Sequence, residues 1–121
     1  MERRCRLRLP GEVRRVYDEG RSWSHPLLAL VARPNGSVCT RLGFTASRSV
    51  GTAVVRNRAR RLMREAARHL RPGIKAGWDV MLVARTRIAG AKEPQVEAAL
   101  AALLRQAGLA ARGDDAEEGQ G

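Results

Sequence analysis

Apolar positions along the chain switch between helical and alternating spacing, and the switches mark its elements. Val13, Val16 and Tyr17 recur at helical spacing within Pro10–Gly20 and predict a short first helix, with Gly20 placed for a left-handed C-terminal cap. Leu27–Arg33 is apolar but too short to read as a helix. It is followed by Pro34-Asn35-Gly36-Ser37 and then by Val38–Ser47, where Val38, Leu42, Phe44 and Ala46 share one alternating face. The two segments read as a hairpin turning at Asn35-Gly36. Thr52 is placed as the N-cap of a long helix from Ala53 to about Arg71, stopped by Pro72-Gly73. Trp78–Ala84 reads as a buried strand. Pro94 stands in the first turn of a last helix ending near Gly108, whose apolar face is Val96, Ala99, Leu100, Leu103, Leu104 and Ala107. Residues 110–121 contain four acids and no large apolar group, so a disordered acidic tail is expected after a single domain of residues 1–109.

The helix from Ala53 sorts its side chains most sharply. At helical spacing Val55, Ala59, Leu62, Met63, Ala66 and Leu70 occupy an arc of roughly 100°, and Arg56, Arg60, Arg64, Arg68 and Arg71 occupy a separate one of similar width. Arg58 and Arg61 widen the basic side, and Glu65 is the only acid among the 16 residues from Arg56 to Arg71. A solvated charged helix face normally balances its signs with pairs one turn apart, whereas a net +6 over 16 residues repels itself unless something negative meets it.

Composition points the same way. The 121 residues carry 23 bases against 12 acids, a net +11, so an acidic partner is the first expectation. Twenty-one of the bases are arginine, whose planar fork matches phosphate oxygens in pairs. The charge is concentrated: residues 1–72 are net +12 and residues 73–121 net −1. Cys5 and Cys39 are too far apart for a CxxC redox motif or a thiolate zinc site, and so sparse a cysteine content suits a reducing cytoplasm. No apolar run exceeds the seven residues Ala98–Leu104, so neither a signal h-region nor a membrane span is expected.

Candidate catalytic groups are few. His25 precedes Pro26 in a loop and His69 lies on a helix flank, so both read as surface histidines rather than an acid–base pair. Asp79 beside Trp78 has no second carboxylate near it in sequence, and the tail acids Asp114, Asp115, Glu117 and Glu118 have no scaffold. No catalytic centre can be assembled from this chain. Tyr17 and Phe44 are the candidates for stacking on unpaired bases, with Phe44 placed in the core by its neighbours, and Trp23 and Trp78 read as packing residues.

The stretch from Leu42 through Phe44-Thr45-Ala46-Ser47-Arg48-Ser49-Val50-Gly51 to Arg56-Asn57-Arg58-Ala59-Arg60-Arg61-Leu62-Met63-Arg64-Glu65 closely resembles the signature of the bacterial ribonuclease P protein component, whose hallmark is Arg-Asn-Arg. The likeness runs from about Arg6 to Leu109 and includes the first helix and Trp78–Arg85. It implies an α+β fold, an α-β-β-β-α-β-α sandwich on a four-stranded sheet with a left-handed βαβ crossover, an exception to the usual right-handed rule. It also implies the small subunit of a ribonucleoprotein whose catalytic RNA, using magnesium ions bound mainly by that RNA, removes the 5′ leader from precursor tRNA in the cytoplasm. No membrane contact and no obligate protein partner are expected.

Carried over by position, the resemblance places Arg48, Arg56, Asn57, Arg58, Arg60, Arg61, Arg64, Arg68 and Arg85 against RNA. Asn57 is the one candidate metal contact, through water. A leader cleft between the first helix and the sheet would use Val13, Tyr17 and Val31 together with Arg60 and Arg64. The family often has aromatic residues where Val13 and Val31 stand, and Gly-Asn-Ala-Val where Thr52 stands, so leader stacking rests on Tyr17. Composition alone also permits a general tRNA- or rRNA-binding, ribosome-associated protein with no cleavage role. The Arg-Asn-Arg block distinguishes the two.

Overall fold

A computed structural model of the chain describes residues 6, 7 and 9–110. In order these form α1 (Pro10–Glu19), β1 (Arg21–Ser24), β2 (Leu28–Pro34), β3 (Arg41–Thr45), α2 (Ala53–Leu70), β4 (Trp78–Ala84) and α3 (Glu93–Ala107). Short 3-10 turns lie at Arg48–Val50, Arg71–Gly73 and Thr86–Gly90. The strands make one mixed sheet of order β1-β2-β4-β3, in which β2 runs antiparallel to both neighbours and β3 parallel to β4. The α+β class and element order match what the resemblance implies, and α2 is the crossover between the parallel pair.

Alternation along the strands divides the core into two layers. Leu28, Leu30 and Ala32 of β2, Leu42 of β3, and Val80, Leu82 and Ala84 of β4 are buried in one cluster with Ala59, Met63, Ala66 and Ala67 of α2 and Val96, Ala99, Leu100, Leu103 and Leu104 of α3. Residues of the opposite face, Val31 and Met81, meet Leu7 and the Val13 and Val16 side chains of α1. Each fully buried Leu or Met in the larger cluster contributes about 1.5–3 kcal/mol by leaving water. Trp23, Trp78 and Phe44 pack at its margin, half-buried.

The long helix forms as its sequence predicts. Thr52 accepts a hydrogen bond from the Val55 amide at 3.3 Å, and Pro72-Gly73 divert the chain into a 3-10 turn. In α3, Gln95 reaches back to accept from the Lys92 amide at 2.8 Å, and Gly108 ends the helix with φ 75°.

The expected hairpin does not form. β4 lies between β2 and β3, so Asn35-Gly36 reverses the chain without pairing its two arms. β2 is buried or half-buried from Leu28 to Arg33, as an interior strand with partners on both edges must be. One of those partners, β1, gives no strand signal in sequence because Arg-Ser-Trp-Ser has a single apolar residue. Val38, expected on the β3 face, is 84% exposed and precedes the strand. Gly20 also departs from its expected cap conformation: it has φ −87° and ψ 170°, extended rather than left-handed. Glycine is needed there because a Cβ would stand 2.5 Å from the Val16 carbonyl oxygen and 2.8 Å from that of Ala32. Ala110, expected at the head of the tail, bridges Ile74. The rest of the expected tail lies outside the described residues.

Candidate nucleic-acid interface

The two faces of α2 diverge chemically. Its apolar arc enters the core, and its arginines point away from it. Among the described residues Arg48, Arg56, Arg60, Arg61 and Arg64 have no acidic partner. Arg48, Arg61 and Arg64 are exposed, and Arg56 and Arg60 half-buried. The Arg60 guanidinium donates to the Asn57 side-chain oxygen, and Arg64 stands 5.5 Å from the centre of the Phe44 ring. These contacts orient the two cations without neutralising them. Five uncompensated guanidinium groups at the start and along one side of a helix form a surface for phosphates.

Two of the sequence-predicted arginines differ from this group. Arg58 donates to the carbonyl oxygens of Ala91 at 2.8 Å and Ala89 at 3.4 Å, tying α2 to the turn before α3. Arg68 is exposed but ion-paired with Glu65 one turn away. Arg85 stands apart from α2, at the end of β4, where it donates to the His25 carbonyl oxygen at 3.4 Å. Beside it Arg87 is also exposed, and the two line a shallow groove with Ser24, His25, Pro26 and Thr86. Sequence reasoning missed Arg87; its spacing of two from Arg85 across a turn was the available signal.

The expected leader-binding residues lie where α1 packs on the sheet. Val13 and Val31 are half-buried against Val16, Met81 and Leu7, as aliphatic packing between the helix and the sheet. Tyr17 is 45% exposed on α1, and partial burial pushes its phenol above the ordinary value. On β4 lies Asp79, only 1% exposed. Arg41 donates to both of its oxygens at 2.7 Å, and Asn35 donates to Oδ1 at 2.8 Å. The same Arg41 pairs with Glu12 of α1, and Arg33 pairs with Glu19 at the other end of α1 at 3.0 Å. Burial alone would push the Asp79 carboxyl up, but the hydrogen bonds from Arg41 and Asn35 outweigh it and hold it below the usual carboxylate range. Asp79 is therefore a structural anchor, set by the sheet rather than by a metal.

Among the described residues the two histidines form no acid–base pair. His25 Nδ1 accepts from the Leu27 amide at 3.0 Å, and His69 faces carboxylates on α2 and α3 far from its fellow histidine in sequence. Asn57 does not present a free metal ligand, since its oxygen is taken by a guanidinium that would repel a cation.

Comparison with known proteins bears on this surface. The sequence model of the family Ribonuclease P matches residues 1–108. The ribonuclease P protein component of Herpetosiphon aurantiacus is 44% identical over 109 residues, covering 90% of this chain and 89% of that protein. Its counterpart in Roseiflexus castenholzii is 44% identical over 110 residues, covering 90% of each. Among solved structures, the RNase P protein of Thermotoga maritima superposes with a TM-score of 0.76 at 28% identity, covering 84% of this chain and 96% of that one. That of Staphylococcus aureus superposes with a TM-score of 0.77 at 25% identity, covering 91% and 94%. With the family matched over nearly all of the folded residues and the arginine helix placed outward, the chain belongs to the ribonuclease P protein family.

Proposed function

We propose that this chain is the protein subunit of a ribonuclease P ribonucleoprotein, binding the catalytic RNA through α2 and the 5′ leader of precursor tRNA in the cleft between α1 and the sheet. The observation that carries the reading is the row of arginines on and before α2 that have no acidic partner, on a chain of this family. Arginine stays charged at every relevant pH, so such a row attracts a phosphate backbone and releases its counterions. Arg85 and Arg87 extend the basic surface beyond α2. Tyr17 offers the leader one aromatic face, and the Asp79 network fixes the distance between the cleft's two walls.

Chemistry belongs to the RNA. Among the described residues no histidine pair is placed for acid–base work, and the Asn57 oxygen is already engaged, so the residues of α2 do not fit a protein-held magnesium ion. Magnesium is assigned to the RNA, and the chain's part is to bind, orient and neutralise. Family membership disfavours a general ribosome-associated RNA binder. Among the described residues no helix is long and apolar enough to cross a membrane; we place the activity in the cytoplasm with precursor tRNA.

Reconstitution tests this directly. The purified chain alone should leave precursor tRNA uncut, and adding the cognate RNA subunit with magnesium should produce a mature 5′ end. Cleavage by the protein without RNA, or no stimulation of the RNA by the protein, would refute the assignment.

A further inference from the structure

We propose that His69, Glu93 and Glu97 form a binding site for one divalent transition-metal ion of the zinc class, joining the C-terminal end of α2 to the first turns of α3. His69 Nδ1 stands 2.9 Å from Glu97 Oε1 and 3.5 Å from Glu93 Oε2. One donor atom from each of the three residues lies within 4.8 Å of those of the other two, and among the described residues this is the one such convergence. Glu93 and Glu97 are four apart on α3 and so share a face, opposite His69 on α2. A tetrahedral ion with bonds of about 2.0–2.2 Å separates its ligand atoms by roughly 3.3–3.5 Å, which small rotations of two glutamates would reach.

Two further features favour an ion here over a plain cluster of charges. Behind the ring, His69 Nε2 lies 3.2 Å from Glu65 Oε2. The Arg68 guanidinium stands 3.2 Å from the same Nε2, so this nitrogen meets a donor and an acceptor together; with its proton turned to Glu65, Nδ1 is left to bind an ion, the carboxylate–histidine–metal arrangement. Independently, the Glu93 Oε2 atom is shut off from solvent and has no hydrogen-bond partner. A buried carboxylate oxygen without a donor is costly, and a bound cation removes that cost. The imidazole with two carboxylates suits zinc, cobalt or nickel, since magnesium and calcium prefer oxygen throughout. His69 is half-exposed on its side chain, which leaves a path from solvent.

Without metal, His69 shares a proton with Glu97, and that hydrogen bond raises its pKa above the ordinary histidine value. The groups facing the ring are Glu65 and Arg68 from α2 and Glu93 and Glu97 from α3. The site uses none of the arginines of α2 that lack an acidic partner.

The test is calorimetric titration of the full chain with zinc chloride, alongside thermal unfolding. One equivalent should bind and raise the Tm, and affinity should fall at least about tenfold, with a smaller rise in Tm, in His69→Ala and in Glu97→Gln, the latter an isosteric change that preserves the helix. Glu65→Gln should weaken binding by about tenfold through the ring's orientation. His25→Ala, and Cys5→Ser combined with Cys39→Ser, should bind as the unaltered chain does. Absence of a one-equivalent site, its persistence in both His69→Ala and Glu97→Gln, or its loss in the cysteine variant would each overturn the proposal.

Discussion

Asp79 shows how one buried carboxylate ties a helix to a sheet. It receives three hydrogen bonds from Arg41 and Asn35, and Arg41 passes the restraint on to Glu12 of α1. Its partners lie 38 and 44 residues away in sequence, so local pattern cannot reveal them and Asp79 reads there as an isolated acid. Because its pKa is lowered in the folded state, the associated stability is present above the unfolded carboxylate range. It is lost as pH falls through the depressed folded value. Asp79→Asn should therefore cost about 2–3 kcal/mol at neutral pH by leaving Arg41 short of its partner. The gap between variant and parent should narrow in acid. Denaturant unfolding at several pH values measures both; a gap independent of pH would show that the stabilisation is not tied to the ionised carboxylate. Gly20 is a second residue whose role only the fold discloses. Gly20→Ala should destabilise by about 1–3 kcal/mol, since its Cβ meets backbone oxygens that no rotamer change can move.

At the scale of elements, legibility depends on whether the information is local. The two faces of α2 and its Thr52 cap follow from residues within a few turns of each other, and the structure has them as the sequence predicts. Strand order does not follow, because β2 and β3 are neighbours in sequence while β4, arriving after α2, takes the place between them. Arginines that look equivalent by periodicity also divide by their surroundings: Arg60 and Arg64 face outward, and Arg58 caps two carbonyls of the turn before α3. The division has distinct signatures. Arg60→Gln with Arg64→Gln should leave the melting temperature near that of the parent and weaken RNA binding, with the salt dependence flattened by about 0.7 in slope for each phosphate of single-stranded RNA that is no longer neutralised. Arg58→Gln should instead lower stability by about 1–2 kcal/mol and change the salt slope less. Filter binding across a salt series, paired with thermal unfolding of the same variants, separates the two classes; equal salt slopes for parent and the Arg60/Arg64 variant would make the arginine row a solvated face.

For the whole molecule, the sheet separates two layers: one face carries α2 and α3 and the larger core, and the other carries α1 and the proposed leader site. The family resemblance makes this division legible without the strand order, whereas the cleft's chemistry needs the structure. Val13 and Val31, standing where the family often has aromatics, are half-buried packing and offer no stacking face. On the proposed reading, leader recognition falls on Tyr17, whose ring is 45% exposed. Were the ring core packing, its removal would weaken every ligand through lower stability. If it stacks on a leader nucleotide, Tyr17→Ala should weaken binding of the reconstituted enzyme to precursor tRNA by roughly 1–2 kcal/mol, the worth of one base–aromatic contact. Tyr17→Phe keeps the stacking face and should cost much less. Mature tRNA lacks the leader, so its affinity should hold in both variants. Binding of the two tRNAs, measured on the same reconstituted preparations, decides the matter: a loss confined to precursor tRNA places the ring against the leader, and equal losses for both tRNAs with a lowered melting temperature return Tyr17 to the core.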